Sequence, residues 1–126
     1  APLKEATQGL TAEQANWEDS TGNHSIGELV SHLIFWNERN LMAFQGNTPP
    51  DFKGNNDETF QKLTTTKWEN ALSRLDSIHS LLNETVGEAR PEQMKEWSSD
   101  IANIASHNAY HTGQIVYIRK MRGWWK

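Results

Sequence analysis

The helical character of this chain is clearest in the stretch Ser25-Ile26-Gly27-Glu28-Leu29-Val30-Ser31-His32-Leu33. Its first four residues match the capping box S-x-x-E, in which two side chains satisfy free backbone donors of a first helical turn. The apolar residues that follow are spaced by threes and fours and so share one helical face: Ile26, Leu29, Val30, Leu33, Trp36 and Phe44. Gly46 is a suitable stop. The pattern predicts a helix over residues 26–45.

A long connection is predicted after this helix. Residues 47–56 contain Pro49, Pro50 and Gly54 among polar side chains. A connection of that length allows the helices on its two sides to run parallel. Before the helix, Gly9 ends a short helical segment, Thr11 begins another, and residues 19–23 form a loop by composition.

Two more long helices are predicted downstream. A second S/T-x-x-E match at residues 66–69 begins a helix that ends at Gly87, with the apolar stripe Trp68, Leu72, Leu75, His79, Leu82 and Val86. Residues 90–97 are interpreted as a connector, with Pro91 at the first position of a short turn. Ser98 or Ser99 is then expected to cap the last helix, which Gly123 closes and whose stripe is Ile101, Ile104, Asn108, His111, Ile115 and Ile118.

These segments predict an all-α protein, a four-helix bundle with a long crossover between its second and third helices. No β-type alternation of useful length interrupts them. A chain of 126 residues suits one domain with one core, over residues 1–126. Most of the six tryptophans are expected to lie in the core or in pocket walls.

Composition narrows the classes of function. The net charge of −4 provides no global basic surface for nucleic acid or anionic lipid. No apolar run approaches the ~20 residues that span a bilayer, and no signal-peptide pattern opens the chain. The absence of cysteine excludes disulfides, thiolate ligands and a cysteine nucleophile. This composition fits a cytoplasmic location and argues against a nucleic acid or a membrane as partner. The expected partner is a small-molecule substrate.

The most informative polar residues are histidines. His107 and His111 are four apart in a helical segment, so they lie one turn apart on the same face. His111 falls inside the apolar stripe, where an unpaired imidazole is costly. His32 lies on another predicted helix, and inward side chains on facing helices can build a metal site. The spacing alone also fits a polar helical surface.

The remaining polar candidates have simpler interpretations. His79 is expected to be a core histidine and His24 to be solvated. Gln114 lies one turn beyond His111 and could hydrogen-bond within a site. Candidates for orienting the imidazoles through their second nitrogen are Glu28, Glu38 and Asn108.

Two segments together resemble a known family. The first is the stretch 25–33 quoted above, and the second is His107-Asn108-Ala109-Tyr110-His111-Thr112-Gly113-Gln114-Ile115. They look like the two signatures of the DinB-like (YfiT-like) superfamily, and the likeness covers nearly the whole chain, including Trp68 and the Arg119-Lys120 tail. The resemblance implies a bundle with a three-histidine metal site whose ligands here are His32, His107 and His111.

The resemblance also implies a reaction class. Characterised members of that superfamily include thiol-dependent transferases and isomerases that use bacillithiol, mycothiol or glutathione. We therefore expect a metal-dependent thiol S-transferase, with zinc, nickel or iron in the site and a low-molecular-weight thiol as co-substrate. Hydrolysis follows from the same geometry and stays open. A non-catalytic bundle held together by a structural metal also stays open.

Two expectations concern partners. The first helix is short, so a partner subunit could cover the pocket, and we predict a homodimer. Near the end of the chain, four cations alternate with two tryptophans: Arg119, Lys120, Arg122, Lys126, Trp124 and Trp125. A nucleic-acid or membrane surface is one interpretation of this cluster, and favourable interaction of cations with the helix dipole is the simpler one.

Overall fold

The computed structural model describes residues 2–126, and its regular elements are helices. The α-helices are α1 (Leu3–Thr7), α2 (Ala12–Ala15), α3 (Ile26–Phe44), α4 (Thr65–Gly87) and α5 (Pro91–Arg122). A 3₁₀ helix, Asn56–Thr59, lies within the connection between α3 and α4. Residues 2–126 contain no strand, which confirms the predicted all-α class. Three helices are long, and the N-terminal region forms the two short helices α1 and α2.

Helix α3 begins as its sequence indicates. The Ser25 hydroxyl accepts a hydrogen bond from the Glu28 backbone N–H at 3.1 Å, and the Ser25 backbone N–H donates to the Glu28 carboxylate at 3.0 Å. Its apolar face is buried almost completely, with Ile26, Leu29, Val30 and Leu33 at most 1% exposed. Gly46 adopts a φ of +84° just beyond the last turn, a conformation that glycine favours.

The predicted start of α4 was wrong by two residues. The helix begins at Thr65, with Thr64 as its cap, and the Thr64 side chain makes no capping hydrogen bond. The Trp68 backbone N–H donates to the Thr64 carbonyl at 2.7 Å, so the helical hydrogen bonds already begin one turn before Trp68. The Trp68 side chain is 2% exposed and donates its indole N–H to the Leu10 carbonyl at 3.1 Å.

The predicted connector before α5 was also wrong. Residues 91–122 form one continuous helix, and Pro91 occupies its first turn, where a missing N–H costs nothing. The Arg90 backbone N–H donates to the Gln93 side chain at 2.9 Å and so closes the N-terminus. Ser98, an expected cap, instead donates to the Lys95 carbonyl within the helix at 3.1 Å.

Helix directions position the site. Helices α3 and α4 run parallel. Near their starts, Ser31 and Lys67 line one cavity, and midway along them Glu38 accepts a hydrogen bond from Arg74 at 3.0 Å. Near their ends, Phe44 and Val86 line another cavity. The connection over residues 45–64 makes this parallel arrangement possible.

Helix α5 runs antiparallel to α3. His32 lies beside His107 and His111, and the Phe44 ring lies 4.9 Å from that of Trp97, so rising numbers on α3 meet falling numbers on α5. Between these ends, Asn37 and Asn108 exchange two side-chain hydrogen bonds of 2.8 Å. Among the described residues, no helix combines the length and the apolar character needed to cross a bilayer.

Candidate metal centre

The antiparallel packing of α3 and α5 brings His32, His107 and His111 together. The Nε2 atoms of His32 and His107 are 2.9 Å apart, and one nitrogen from each of the three rings lies within 4.8 Å of the others. The ring centroids are separated by 4.6 to 4.9 Å. The two α5 histidines share a face because they are one turn apart, and that face is the one α5 presents to His32.

The second nitrogen of His32 is held by the connection between α3 and α4. His32 Nδ1 lies 2.7 Å from the Thr59 hydroxyl oxygen, and that hydroxyl donates to the Asn56 carbonyl at 2.7 Å. Because the Thr59 proton is already used, Thr59 accepts and His32 Nδ1 donates. The His32 Nε2 lone pair is therefore directed toward the other two histidines.

His111 is oriented in the same way by a neighbour on its own helix. Its Nδ1 lies 2.6 Å from the side-chain oxygen of Gln114, which can only accept. Nδ1 is thus the protonated nitrogen, and Nε2 carries the free lone pair. The predicted hydrogen bond of Gln114 within the site is confirmed.

The other predicted orienting residues were wrong, because each is engaged elsewhere. Glu28 caps α3 through Ser25, Glu38 pairs with Arg74, and Asn108 pairs with Asn37. The residue that sequence reasoning missed is Thr59, since no periodicity relates a loop threonine to a histidine 27 positions earlier.

The environment favours the neutral form of two of these imidazoles, His32 and His107. Burial, reinforced by the nearby His111 and His107, lowers the pKa of His32 from 6.5 to about 4. Burial, followed by the neighbouring His111, also lowers the pKa of His107. Neutral imidazole is the form that binds metal ions, so near pH 7 His32 and His107 are in the required protonation state.

The donor set fits a divalent transition metal. With metal–nitrogen bonds of about 2.0–2.1 Å, two imidazoles bound at right angles have nitrogens about 2.9 Å apart, and at the tetrahedral angle about 3.4 Å. The 2.9 Å between His32 and His107 falls within this range. Imidazole suits zinc, nickel, copper and iron alike. The group formed by the described residues holds three ligand side chains and no fourth histidine, cysteine or carboxylate.

The remaining side of the cluster faces a cavity of about 660 Å³. Helices α3 and α5 and the connection before α4 form its walls, which consist of Trp36, Asn40, Asn56, Phe60, Asp100, Asn103, Ile104 and Tyr110 in addition to the three histidines. Cavities of this size accommodate small molecules. Three potential ligands beside an open cavity differ from the usual structural zinc site, which is closed by a fourth protein ligand.

The family model of the DinB superfamily matches residues 2–115, which include all three histidines and most of the five helices. The chain belongs to the DinB superfamily. The resemblance drawn from the two sequence segments is thereby confirmed. Neither the curated proteins nor the solved structures contain a significant match to it.

In this DinB-superfamily chain, an aromatic side chain supports His32 from the connection. The Phe60 ring stacks on His32 at a centroid distance of 4.0 Å and, on its other face, on His24 at 3.8 Å. His24 is exposed as expected, and it also covers this stack. The sequence contained no signal for Phe60, because the contact depends on how the connection folds back over α3.

His79 lies outside the cluster. It was expected to be a core histidine with its polar atoms satisfied, and it is half-buried on α4. Its Nε2 is buried without a hydrogen-bond partner among residues 2–126, so the satisfaction is incomplete. Burial lowers the pKa of His79, which keeps the ring neutral there.

The two C-terminal arginines make contacts within the chain. Arg119 is buried and donates to the carbonyls of Ala6 at 2.8 Å, Gln8 at 2.9 Å and Trp124 at 3.1 Å. The Arg122 guanidinium lies 4.5 Å from the centroid of a Trp17 ring and 5.3 Å from that of Trp124. These contacts join the two ends of the described chain. They give the arginines a structural role in addition to their favourable position in the helix dipole.

Proposed function

We propose that this chain is a divalent-metal-dependent enzyme that transfers a low-molecular-weight thiol to a small electrophilic substrate. The observation that supports the proposal is the cluster of three imidazoles beside an open cavity, two of them with Nδ1 engaged in a hydrogen bond to a neighbouring side chain. The superfamily resemblance favours thiol transfer over other reactions of the same geometry.

His32, His107 and His111 are the proposed ligands. A zinc, nickel or iron ion held by them would supply a Lewis acid that lowers the pKa of a thiol in its open position. Thr59 and Gln114 hold two of the rings in the tautomer that leaves Nε2 free. Phe60 and Ile104 provide an apolar wall that limits water beside the reacting sulfur.

In the proposed reaction the sulfur attacks an electrophilic carbon. A carbon–sulfur bond forms, the bond to the leaving group breaks with its electron pair, and the thiol proton passes to solvent. Hydrolysis is the alternative that the same site supports, with water in place of the thiol.

Purified protein without a tag provides the test. We expect near-stoichiometric metal by mass spectrometry, and conversion of an aryl halide by added thiol above the uncatalysed rate. Dialysis against a chelator should abolish conversion while the helical circular dichroism persists, and added zinc, nickel or iron should restore it. Unfolding on chelation would instead indicate the structural-metal alternative. Absence of metal after loading would refute the enzyme proposal.

Two structural proposals accompany this function. The first is that α1 and α2 together take the place of the first helix in a four-helix bundle. The second is a homodimer, which the exposure of Tyr110, Tyr117 and Met121 on α5 supports. Light scattering at working concentration tests the homodimer, and a monomer mass would refute it.

A further inference from the structure

We infer that the cavity beside the three histidines takes a ligand whose groups remote from the metal are hydroxyl or ammonium, and not carboxylate. This inference rests on the proposed function and specifies the substrate class of the same site. It is carried by the chemistry of the cavity walls.

The polar wall is assembled from three elements. On α3, Trp36 and Asn40 follow His32 at intervals of four and so continue the face that carries it. On α5, Asp100 and Asn103 precede His107 by two turns and one turn, which places Asp100 about 10 Å from His107 along the helix axis. Asn56 contributes from the connection, where its side-chain oxygen accepts from the Trp36 indole N–H at 3.0 Å.

The charge of this wall has one sign. Of the described residues that line the cavity, none is lysine or arginine, and Asp100 is the single carboxylate. Asp100 is exposed and forms no ion pair with any residue in the range 2–126. Two arginines on the nearby helices are committed elsewhere: Arg39 donates to the Pro50 carbonyl at 2.6 Å, and Arg74 pairs with Glu38.

These groups discriminate between ligands. The amides of Asn40 and Asn103 are neutral groups that both accept and donate, so they bind hydroxyl or ammonium donors without selecting for charge, and the charge preference comes from Asp100, which attracts a cation. A carboxylate on the ligand meets no opposite charge on this wall and is repelled by Asp100. A metal ion would attract every thiolate through the same sulfur. The remote group therefore determines the difference in affinity between thiols of equal length.

Three thiols of matched length separate these effects: 6-amino-1-hexanethiol, 6-mercapto-1-hexanol and 6-mercaptohexanoic acid. Their thiol acidities are nearly equal, and their terminal groups are too distant to chelate the same ion. Each is titrated into cobalt(II)-loaded protein near pH 7 and at low ionic strength, and thiolate binding is followed by the near-ultraviolet sulfur-to-cobalt charge-transfer absorption.

We expect the amine and the alcohol to bind more tightly than the acid. Asp100→Asn should weaken the preference for the amine over the acid by about 3- to 10-fold, the size of one charge interaction in a partly solvated groove. Asn103→Ala should weaken binding of the alcohol. Glu96→Gln removes an exposed carboxylate on the same helix that does not line the cavity, and it should leave the preference unchanged.

The outcomes separate the two proposals. If the acid binds as tightly as the amine, or if Asp100→Asn and Glu96→Gln change the preference equally, the inference about ligand charge is wrong, while thiol binding at the site stands. If none of the three thiols changes the absorption of the cobalt-loaded protein, the proposed thiol transfer is wrong, and the inference fails with it.

Discussion

The C-terminal half of α5 carries two polar regions that the fold uses in opposite ways. In the histidine region, His107 and His111 meet His32, and their free nitrogens point toward one another and toward a cavity. In the arginine–tryptophan region, three turns further along, Arg119 directs its donors to backbone carbonyls and Arg122 lies against two tryptophans.

The two regions differ in how many of their hydrogen-bonding atoms are used by residues outside the region. Arg119 is satisfied by the chain itself, so it contributes to stability. Residues outside the cluster engage the histidines on one side only, at Nδ1 of His32 and of His111, and His32 Nε2 instead meets Nε2 of His107 within the cluster. Polar residues on one helix thus form either a candidate site or a structural contact. Which of the two they form depends on whether their polar atoms are fully used by hydrogen bonds to the surrounding structure.

The largest expected effect removes a proposed ligand from the histidine region. His111→Ala should reduce bound metal from about one ion per chain to almost none, with little change in the unfolding temperature of the metal-free protein, because the half-buried ring gives up only one local hydrogen bond. Mass spectrometry and thermal unfolding measure the two effects. Metal content equal to that of the parent protein would remove His111 from the ligand set.

A substitution of Arg119 in the arginine–tryptophan region should have the opposite effect, because it should lower stability and not metal binding. Arg119→Met keeps the apolar stem but leaves the buried carbonyl of Ala6 and the partly buried carbonyl of Gln8 without their donor, which should cost about 2–4 kcal/mol in the free energy of unfolding. Metal content should be unchanged. Lys120→Met, at an exposed neighbouring position, serves as the control. Equal stabilities of the two variants in urea unfolding would contradict the structural role.

A smaller effect is expected at Thr59, which orients His32 without belonging to the cluster. Thr59→Val keeps the shape and removes the acceptor for His32 Nδ1, and loss of such a partner typically costs 10- to 100-fold in metal affinity. Thr59→Ser should retain most of the affinity. Competition with a chromogenic chelator measures both, and equal affinities of the valine and serine variants would show that the hydroxyl does not orient the ring.

The smallest effect is a difference in pH dependence between the two regions. The pKa of His32 is about 4 in the fold and 6.5 ordinarily, so between these values the unfolded chain binds more protons. Stability of the metal-free protein should therefore fall as the pH is lowered from 6.5 to 4. Arg119 stays protonated throughout this pH range and does not contribute to the pH dependence of stability.

Urea unfolding of the chelator-treated protein at several pH values in this range tests the histidine contribution. The fall in stability should be shallower in His32→Gln, which retains hydrogen-bonding capacity but does not titrate. Arg119→Met should lower stability at every pH without changing the slope. Parallel pH profiles for His32→Gln and the parent protein would show that the pH dependence arises elsewhere.

Local sequence determined much of this protein. Apolar residues spaced by three and four positions identified α3, α4 and the apolar part of α5. The capping side chains of Ser25 and Glu28 correctly predicted the start of α3. Where two local signals competed, sequence was less decisive. Pro91 and Ser98 are both acceptable near a helix start, and the structure shows that α5 begins at Pro91, with the Trp97 ring packed against Phe44.

The candidate site divides in the same way. The sequence alone determined that His107 and His111 share a helical face and that Gln114 lies within reach of His111, because both follow from the period of an α-helix. The tertiary structure decided which face of α5 meets His32, because that depends on a long connection and on antiparallel packing. It also decided the contacts of Thr59 and Phe60 with His32, since contacts between residues far apart in the chain leave no periodic signal in the sequence.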